Sequence, residues 1–461
     1  MKTKVQITSN GSDPAFKRVC ATAASQMKKM CVPGMALGIF HKGREYYSGL
    51  GVTSIETELP VDADTLFQIG SITKTFLAQA AVMLAEKGKL DLDAPIRRYL
   101  PEFKLKDSST AVKVTMRHLL THTGGWFGDY FNDFGSGDDA LKRMVEEVGR
   151  LPQITPFGKI WSYNNSGFYV AGRVLEKVAG KAFEKLIHEL IFAPLAMDNS
   201  FFSADDAISR RFAVGHKFVK GKVKVARPWA IGRAAHPAGG VVCSARDLMK
   251  YARFHMGDGR LTGGKRLISR KGMKALHTPL FHATGDKSVA LSWFVAPLGK
   301  ASVISHSGGT NGQQTQLNIV PQEKYASIIF TNGNRGSAAA MYVYRSALKE
   351  FLARSPEKKQ YLTLPPKEVS CYLGQYVLPD TEIKIFRKKN SVIAQLVDKG
   401  GFPTPKDKPE QQPSPSRIAF YGQDKIEMQD LPYKGSTGEF IRDEKGKVSY
   451  LRLFSRVHVR K

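Results

Sequence analysis

Cysteine is scarce in this chain: Cys20, Cys31, Cys243 and Cys371 are the four in 461 residues, and no two form a Cys-x-x-Cys pair. That spacing argues against a zinc ribbon or a thioredoxin-like redox motif. A chain of this length buries enough core to need no disulfide staples, so free thiols are expected. Long apolar runs are also missing. No stretch approaches the roughly 20 residues of a membrane span, and residues 1–8 carry none of the apolar character of a signal peptide. These absences point to a cytoplasmic protein with no membrane partner. Acidic residues are few, 41 Asp and Glu against 69 Lys and Arg, for a net charge of +28. Such an excess raises the question of nucleic acid. Its distribution argues against that partner, because residues 356–461 carry a net +7 and residues 1–355 the other +21, at nearly equal density. The clusters are short, such as Arg387-Lys388-Lys389. In the richest stretch, 217–227, lysine alternates with valine around Gly221, as on the solvated face of a hairpin.

The 42% of hydrophobic residues suffices for one large domain and a smaller one. A helical run over 341–354 gives way to Ser355-Pro356-Glu357-Lys358-Lys359 and then Leu364-Pro365-Pro366, a linker by composition. Beyond it the apolar period changes to two: Ile383 and Ile385 flank Lys384, and Leu451, Leu453, Val457 and Val459 alternate with mostly polar residues. Short strands between Asp, Gly, Asn and Lys turns indicate an antiparallel β domain, with the proline-rich 401–415 as a long surface loop. The expected division is therefore 1–355, a linker over 356–368, and 369–461.

Three motifs carry chemistry. In Phe67-Gln68-Ile69-Gly70-Ser71-Ile72-Thr73-Lys74-Thr75-Phe76, a strand-like segment and a turn-permitting glycine precede Ser71. Phe76, Leu77, Ala80, Ala81 and Leu84 then recur at helical spacing, with Gly88 as a stop. Three residues of helix rise about 4.5 Å, so the Ser71 hydroxyl and the Lys74 amine share a face at a helix start that offers unpaired N–H groups. That pairing suits a nucleophile activated by an adjacent base. Ser-x-x-Lys also occurs at Ser25–Lys28, Ser346–Lys349 and Ser355–Lys358, so context must separate Ser71 from ordinary helix caps. The second motif is Trp161-Ser162-Tyr163-Asn164-Asn165-Ser166-Gly167-Phe168, ahead of a helical run over 169–178. Tyr163 offers a phenol to relay a proton and Asn165 an amide to orient a carbonyl; Tyr130-Phe131-Asn132 repeats the pattern. The third is Ser305-His306-Ser307-Gly308-Gly309-Thr310, expected in the connection between strands 301–304 and 316–320, where glycine lets a substrate backbone approach. His118 and His122 stand four apart, as helical zinc ligands would. Neither Glu nor a further His occupies a matching position, so no metal or cofactor is expected.

In this order the three motifs resemble those of the serine β-lactamase-related superfamily, in the branch that looks like class C β-lactamases. That branch also holds carboxylesterases, D-aminopeptidases, D-alanyl-D-alanine carboxypeptidases and penicillin-binding-protein-type thioesterases. The resemblance spans roughly residues 15–355 and takes in Leu119-Leu120-Thr121-His122-Thr123-Gly124-Gly125, Pro237-Ala238-Gly239-Gly240-Val241, Ser244-Ala245-Arg246-Asp247-Leu248 and Thr331-Asn332. It implies an α/β fold, an antiparallel sheet flanked by helices plus a helical subdomain. Tyr372-Leu373-Gly374-Gln375-Tyr376 resembles the start of a lipocalin-like β-barrel that follows in some relatives, either to wall the cleft or to mediate self-association. The segment 126–139 would be a rim loop shaping specificity or a plain surface loop.

By this resemblance Ser71 is the acylated nucleophile, Lys74 the amine that polarises it, and Tyr163 the base that later reprotonates the leaving group. Asn165 orients Lys74 or the substrate, His306 and Gly308 replace the lysine and glycine of the family's third motif, and the N–H groups of Ser71 and Gly309 form the oxyanion hole. Ordinary tyrosine and lysine pKa values of about 10 and 10.4 leave the choice of base open, since one of them must be lowered. His306 in place of a fixed cation favours esters, or amides without a free carboxylate. The expected partner is a small ester, amide or peptide, with a homo-oligomer compatible. The alternatives are a β-lactamase or carboxypeptidase, an acyltransferase or peptide cyclase, and a silent scaffold.

Overall fold

The computed structural model describes residues 7–9, 12–355 and 359–461. Residues 356–358 of the expected linker, with Lys358 of the Ser355–Lys358 repeat among them, lie outside the described residues, as do residues 1–6 of the N-terminal segment.

A nine-stranded antiparallel sheet forms the spine of the larger domain, and it is assembled from both ends of that domain. Its order is Ile7–Ser9, Arg44–Gly51, Gly34–His41, Tyr325–Thr331, Gln314–Val320, Ala301–Gly309, Phe294–Leu298, Lys287–Val289 and Phe281–Thr284. The N-terminal hairpin turns at His41-Lys42-Gly43 and joins the later meander where Met35 pairs with Thr331 and His41 with Tyr325. Helices Pro14–Met30 and Gly336–Leu352 cover one face through Phe16, Met27, Ala340 and Val343. The second of these begins five residues before the expected 341.

The other face carries the long insertion between the hairpin and the meander, and the helix Thr73–Glu86 runs through its middle. Every residue from Thr73 to Leu84 is buried, polar ones included. Phe76 stacks on Tyr251 at 3.9 Å between ring centroids, a contact worth about 0.5–1.5 kcal/mol beyond area burial. The helix ends at Glu86, two residues before Gly88 at φ +68°.

Residues 374–460 close into an eight-stranded antiparallel barrel in chain order, from Gly374–Val377 round to Arg456–Arg460. Tyr376, Ile383, Ile385, Ile426, Phe440, Leu451 and Leu453 fill its interior, as side chains do in a small barrel. The 217–227 stretch is a hairpin, His216–Val219 against Lys222–Val225, and 401–415 is without strand or helix. All four cysteines are free thiols, Cys20 and Cys243 buried. Among the described residues no helix is long and apolar enough to cross a membrane.

Candidate active site

The three motifs converge although up to 235 residues separate them in sequence. Ser71 lies in a single 3-10 turn, Gly70–Ile72, that leads into the buried helix. The turn is clamped on both sides. Ile69 N–H donates to the Val241 carbonyl at 3.0 Å, and the Thr315 hydroxyl donates to the Ile69 carbonyl at 2.9 Å. Gly70 adopts φ +52°, and a Cβ there would stand 2.7 Å from the Gly309 nitrogen. A side chain at 70 is thus excluded twice, by conformation and by the strand behind it. Gly308 is tighter still, since its Cβ would meet the Ile69 carbonyl at 1.8 Å. These glycines let the third motif lie directly against the Ser71 turn.

The third motif is part of a strand of the antiparallel sheet, as the resemblance implies, although the local pattern ends that strand at Ile304. Ala301–Gly309 continues through the whole motif, with His306 opposite Leu317 and Gly309 opposite Gln314. Two adjacent glycines read as a break, but here the pairing partner supplies the order that the local sequence lacks. Likewise the helix after Tyr163 starts at Ser166 rather than 169, where the Asn164 side-chain Oδ1 accepts from Gly167 N–H at 2.7 Å.

Lys74 has no exposed surface. Its Nζ lies 2.9 Å from Ser71 Oγ and donates to the Ala238 carbonyl at 2.5 Å. Burial, and then the Arg456 charge, hold the amine well below the usual lysine range, with Asp129 opposing. The Tyr163 ring lies 5.0 Å from Nζ, and its buried hydroxyl faces Ser71 without a hydrogen bond of good geometry. Burial pushes this phenol above the usual tyrosine range, while Ser71 and Arg456 draw it back. The surroundings thus lower the amine and raise the phenol, which favours Lys74 over Tyr163 as the proton acceptor.

His306 is neutral. Its Nδ1 is 2.6 Å from the Ser307 carbonyl, which takes that N–H and leaves Nε2 as a bare acceptor. Nε2 is buried without a partner. Burial, then Lys74, push this imidazole down to about 3. Asn165 does not contact Lys74 in the way one expectation had it. Its Nδ2 donates to Asp129 Oδ1 at 2.6 Å. His118 is used up in capping its own short helix through Thr115, and His122, beyond that helix at φ +56°, stacks on Tyr163 at 4.2 Å. Among the described residues, no group of three His, Cys, Asp or Glu side chains is placed to hold a metal.

The site opens into a cleft of about 580 Å³ between the two domains. The 126–139 segment forms one rim through Asp129, Phe131 and Asp133, and the barrel forms the opposite wall through Asp380, Asp398, Phe402 and Arg456. Phe131 and Phe402 meet edge to face at 5.0 Å. In a chain of net charge +28, four aspartates and one arginine face this space. Sequence reasoning missed Asp129, Asp380 and Arg456. Asp129 was hidden in a loop of unassigned role, and nothing local distinguishes Arg456 from a solvated barrel residue.

The chain belongs to the beta-lactamase family, whose model matches residues 21–349. Penicillin-binding protein 4 of Amycolatopsis lactamdurans is 30% identical over 348 residues, 73% of this chain and 90% of that protein. Two solved structures extend the likeness through the barrel: SurE with D-Leu, at TM-score 0.72 and 22% identity over 97% of this chain and 99% of that one, and the octameric penicillin-binding protein homologue from Pyrococcus abyssi, at TM-score 0.62 and 23% identity over 97% of this chain and 100% of that one. At those identities they share the fold: a β-lactamase-like domain followed by an eight-stranded barrel. The chain is a serine hydrolase of this family.

Proposed function

We propose that this hydrolase forms an acyl-enzyme on Ser71 with small esters or with amides and peptides that lack a free carboxylate at the reacting end. The observation that carries this reading is the 2.9 Å contact between Ser71 Oγ and a fully buried Lys74 amine. A neutral Lys74 accepts the Ser71 proton as Oγ attacks the carbonyl carbon. The N–H groups of Ser71 and Gly309 hold the oxyanion. Tyr163 gives its proton to the leaving oxygen or nitrogen and takes up the one that Lys74 received, so both groups return to their starting state before water enters. Water, or an amine in a cyclising variant of the reaction, then releases the acyl group. A neutral His306 and a cleft lined by aspartates disfavour carboxylate-bearing substrates, so a neutral or amine-bearing molecule fits better than a β-lactam.

The test is intact mass after acid quench from a brief incubation with p-nitrophenyl acetate. A single acetyl adduct on the wild type and none on Ser71→Ala supports the reading. Equal behaviour of the two proteins removes Ser71 as the nucleophile for this ester.

A further inference from the structure

The family match ends at residue 349, yet the barrel reaches the reacting groups. We propose that the turn Phe454-Ser455-Arg456 in the barrel's last hairpin is a working part of the acyl-transfer centre, with Arg456 the positioning residue for Tyr163 and Asn165. This rests on the reading of Ser71 as nucleophile.

The hairpin holds the Tyr163 segment by its backbone. The Ser455 carbonyl accepts from Tyr163 N–H at 2.8 Å, Val457 N–H donates to Ser162 Oγ at 3.2 Å, and Arg452 Nε donates to the Trp161 carbonyl at 3.1 Å. Three consecutive residues of the second motif are thus fixed from another domain. The turn takes an uncommon conformation to do so, with Phe454 at φ +50° and Ser455 at φ +65°. Side-chain-bearing residues adopt that region only where the surroundings over-determine it.

Arg456 extends the grip to side chains. Its guanidinium binds Asp129 with Nε–Oδ2 at 2.7 Å and Nη2–Oδ1 at 3.0 Å, and its Cζ lies 4.6 Å from the Tyr163 ring centroid. Asp129 Oδ1 also takes the Asn165 amide at 2.6 Å. One planar fork therefore orders Tyr163 directly and Asn165 through Asp129, a geometry a lysine cannot reproduce. The fork also brings a fixed positive charge to the Ser71–Lys74–Tyr163 group. Such a charge favours the neutral amine and the phenolate alike, so its effect on the proton acceptor has one sign whichever group accepts.

The other groups facing Tyr163 and Lys74 are His122, His306, Asp129 and Asp380. Burial holds His306 down at about 3, so it stays neutral above pH 5, and burial shifts His122 the same way, well below the usual histidine range. Arg456 overrides burial to hold Asp129 ionised. Asp380, pushed up to about 6 by burial and then by Asp129, titrates inside the working range.

The test is the pH profile of Ser71 acylation by p-nitrophenyl acetate from pH 5 to 10, for wild type, R456M, R456K and D129N, repeated in a D380N background to remove the Asp380 titration. R456M is expected to lower the rate at pH 7 at least about tenfold and to move the acid-side midpoint up by about one pH unit. R456K keeps the charge and loses the fork, so its rate falls while its midpoint moves less. D129N leaves the cation unopposed and moves the midpoint down. An unmoved midpoint in R456M, with or without a lower rate, reduces Arg456 to domain adhesion and overturns the proposal. Where R456M does not fold, R456K and D129N decide by the same shifts. If wild type acylates no ester, the reading of Ser71 fails separately. Amide hydrogen exchange then still tests the positioning. The peptide 160–166 should exchange faster in R456K while barrel peptides are unchanged, and equal exchange overturns it.

Discussion

Lys74 has no surface in contact with water, and an ammonium so placed would need neutralising partners that the pocket supplies only in part. Lys74→Met keeps the volume and removes the titration. An unfolded chain protonates this lysine below about pH 10.4, while burial holds the folded amine well below that range, so each pH unit between the folded and the unfolded value costs wild type about 1.4 kcal/mol. Against this, methionine leaves the Ala238 carbonyl without its donor, at about 1–3 kcal/mol, and the shape change costs under about 1.5 kcal/mol. The variant should therefore gain stability relative to wild type as pH falls, while Ser71 acylation collapses. The sign with pH follows from the depressed amine: wild type is penalised most at low pH and recovers as pH rises toward 10.4, so the variant's advantage shrinks and then reverses. Urea unfolding at pH 6 to 10, followed by tryptophan fluorescence, reads this directly. Trp126, Trp161, Trp229 and Trp293 all lie in the larger domain, so the barrel does not obscure the signal. A stability difference that stays flat across this range would mean that Lys74 is charged in the fold and would sink its role as proton acceptor.

Three further outcomes are expected. Gly308→Ala should push the third-motif strand off the Ile69 carbonyl, at about 3 kcal/mol or more, with a lower unfolding midpoint and loss of acylation; normal activity would refute the close approach at 1.8 Å. His306→Lys restores a cation where the wild type has a neutral ring, and should raise benzylpenicillin acylation at least about tenfold relative to p-nitrophenyl acetate. Efficient benzylpenicillin turnover by the wild type would count against the substrate class. Phe402→Ala removes the aromatic contact to Phe131 across the cleft, worth about 0.5–1.5 kcal/mol, and should raise KM for bulky acyl groups several-fold with kcat for acetyl esters unchanged.

Much of this molecule is determined locally, and those parts were legible in the chain. The Ser71-to-Lys74 spacing is a property of one helical turn. The period-two alternation of Ile383 with Ile385 is a property of one strand, and the hairpin around Gly221 follows from its own residues. Covalent spacing and backbone geometry fix such features whatever surrounds them. The tertiary structure decided the rest. Two glycines after His306 look like a break, and only pairing with Gln314–Val320 keeps them in a strand. Arg452 alternates with apolar neighbours as a solvated residue would, yet is 4% exposed, because its face of the hairpin meets the Trp161 carbonyl of the other domain instead of water. Arg456 lies 327 residues from Asp129 and shares no periodicity with it. A charge's partner, and hence the protonation of Lys74 and Tyr163, depends on what folding brings within a few ångströms, and one-dimensional spacing carries no record of that.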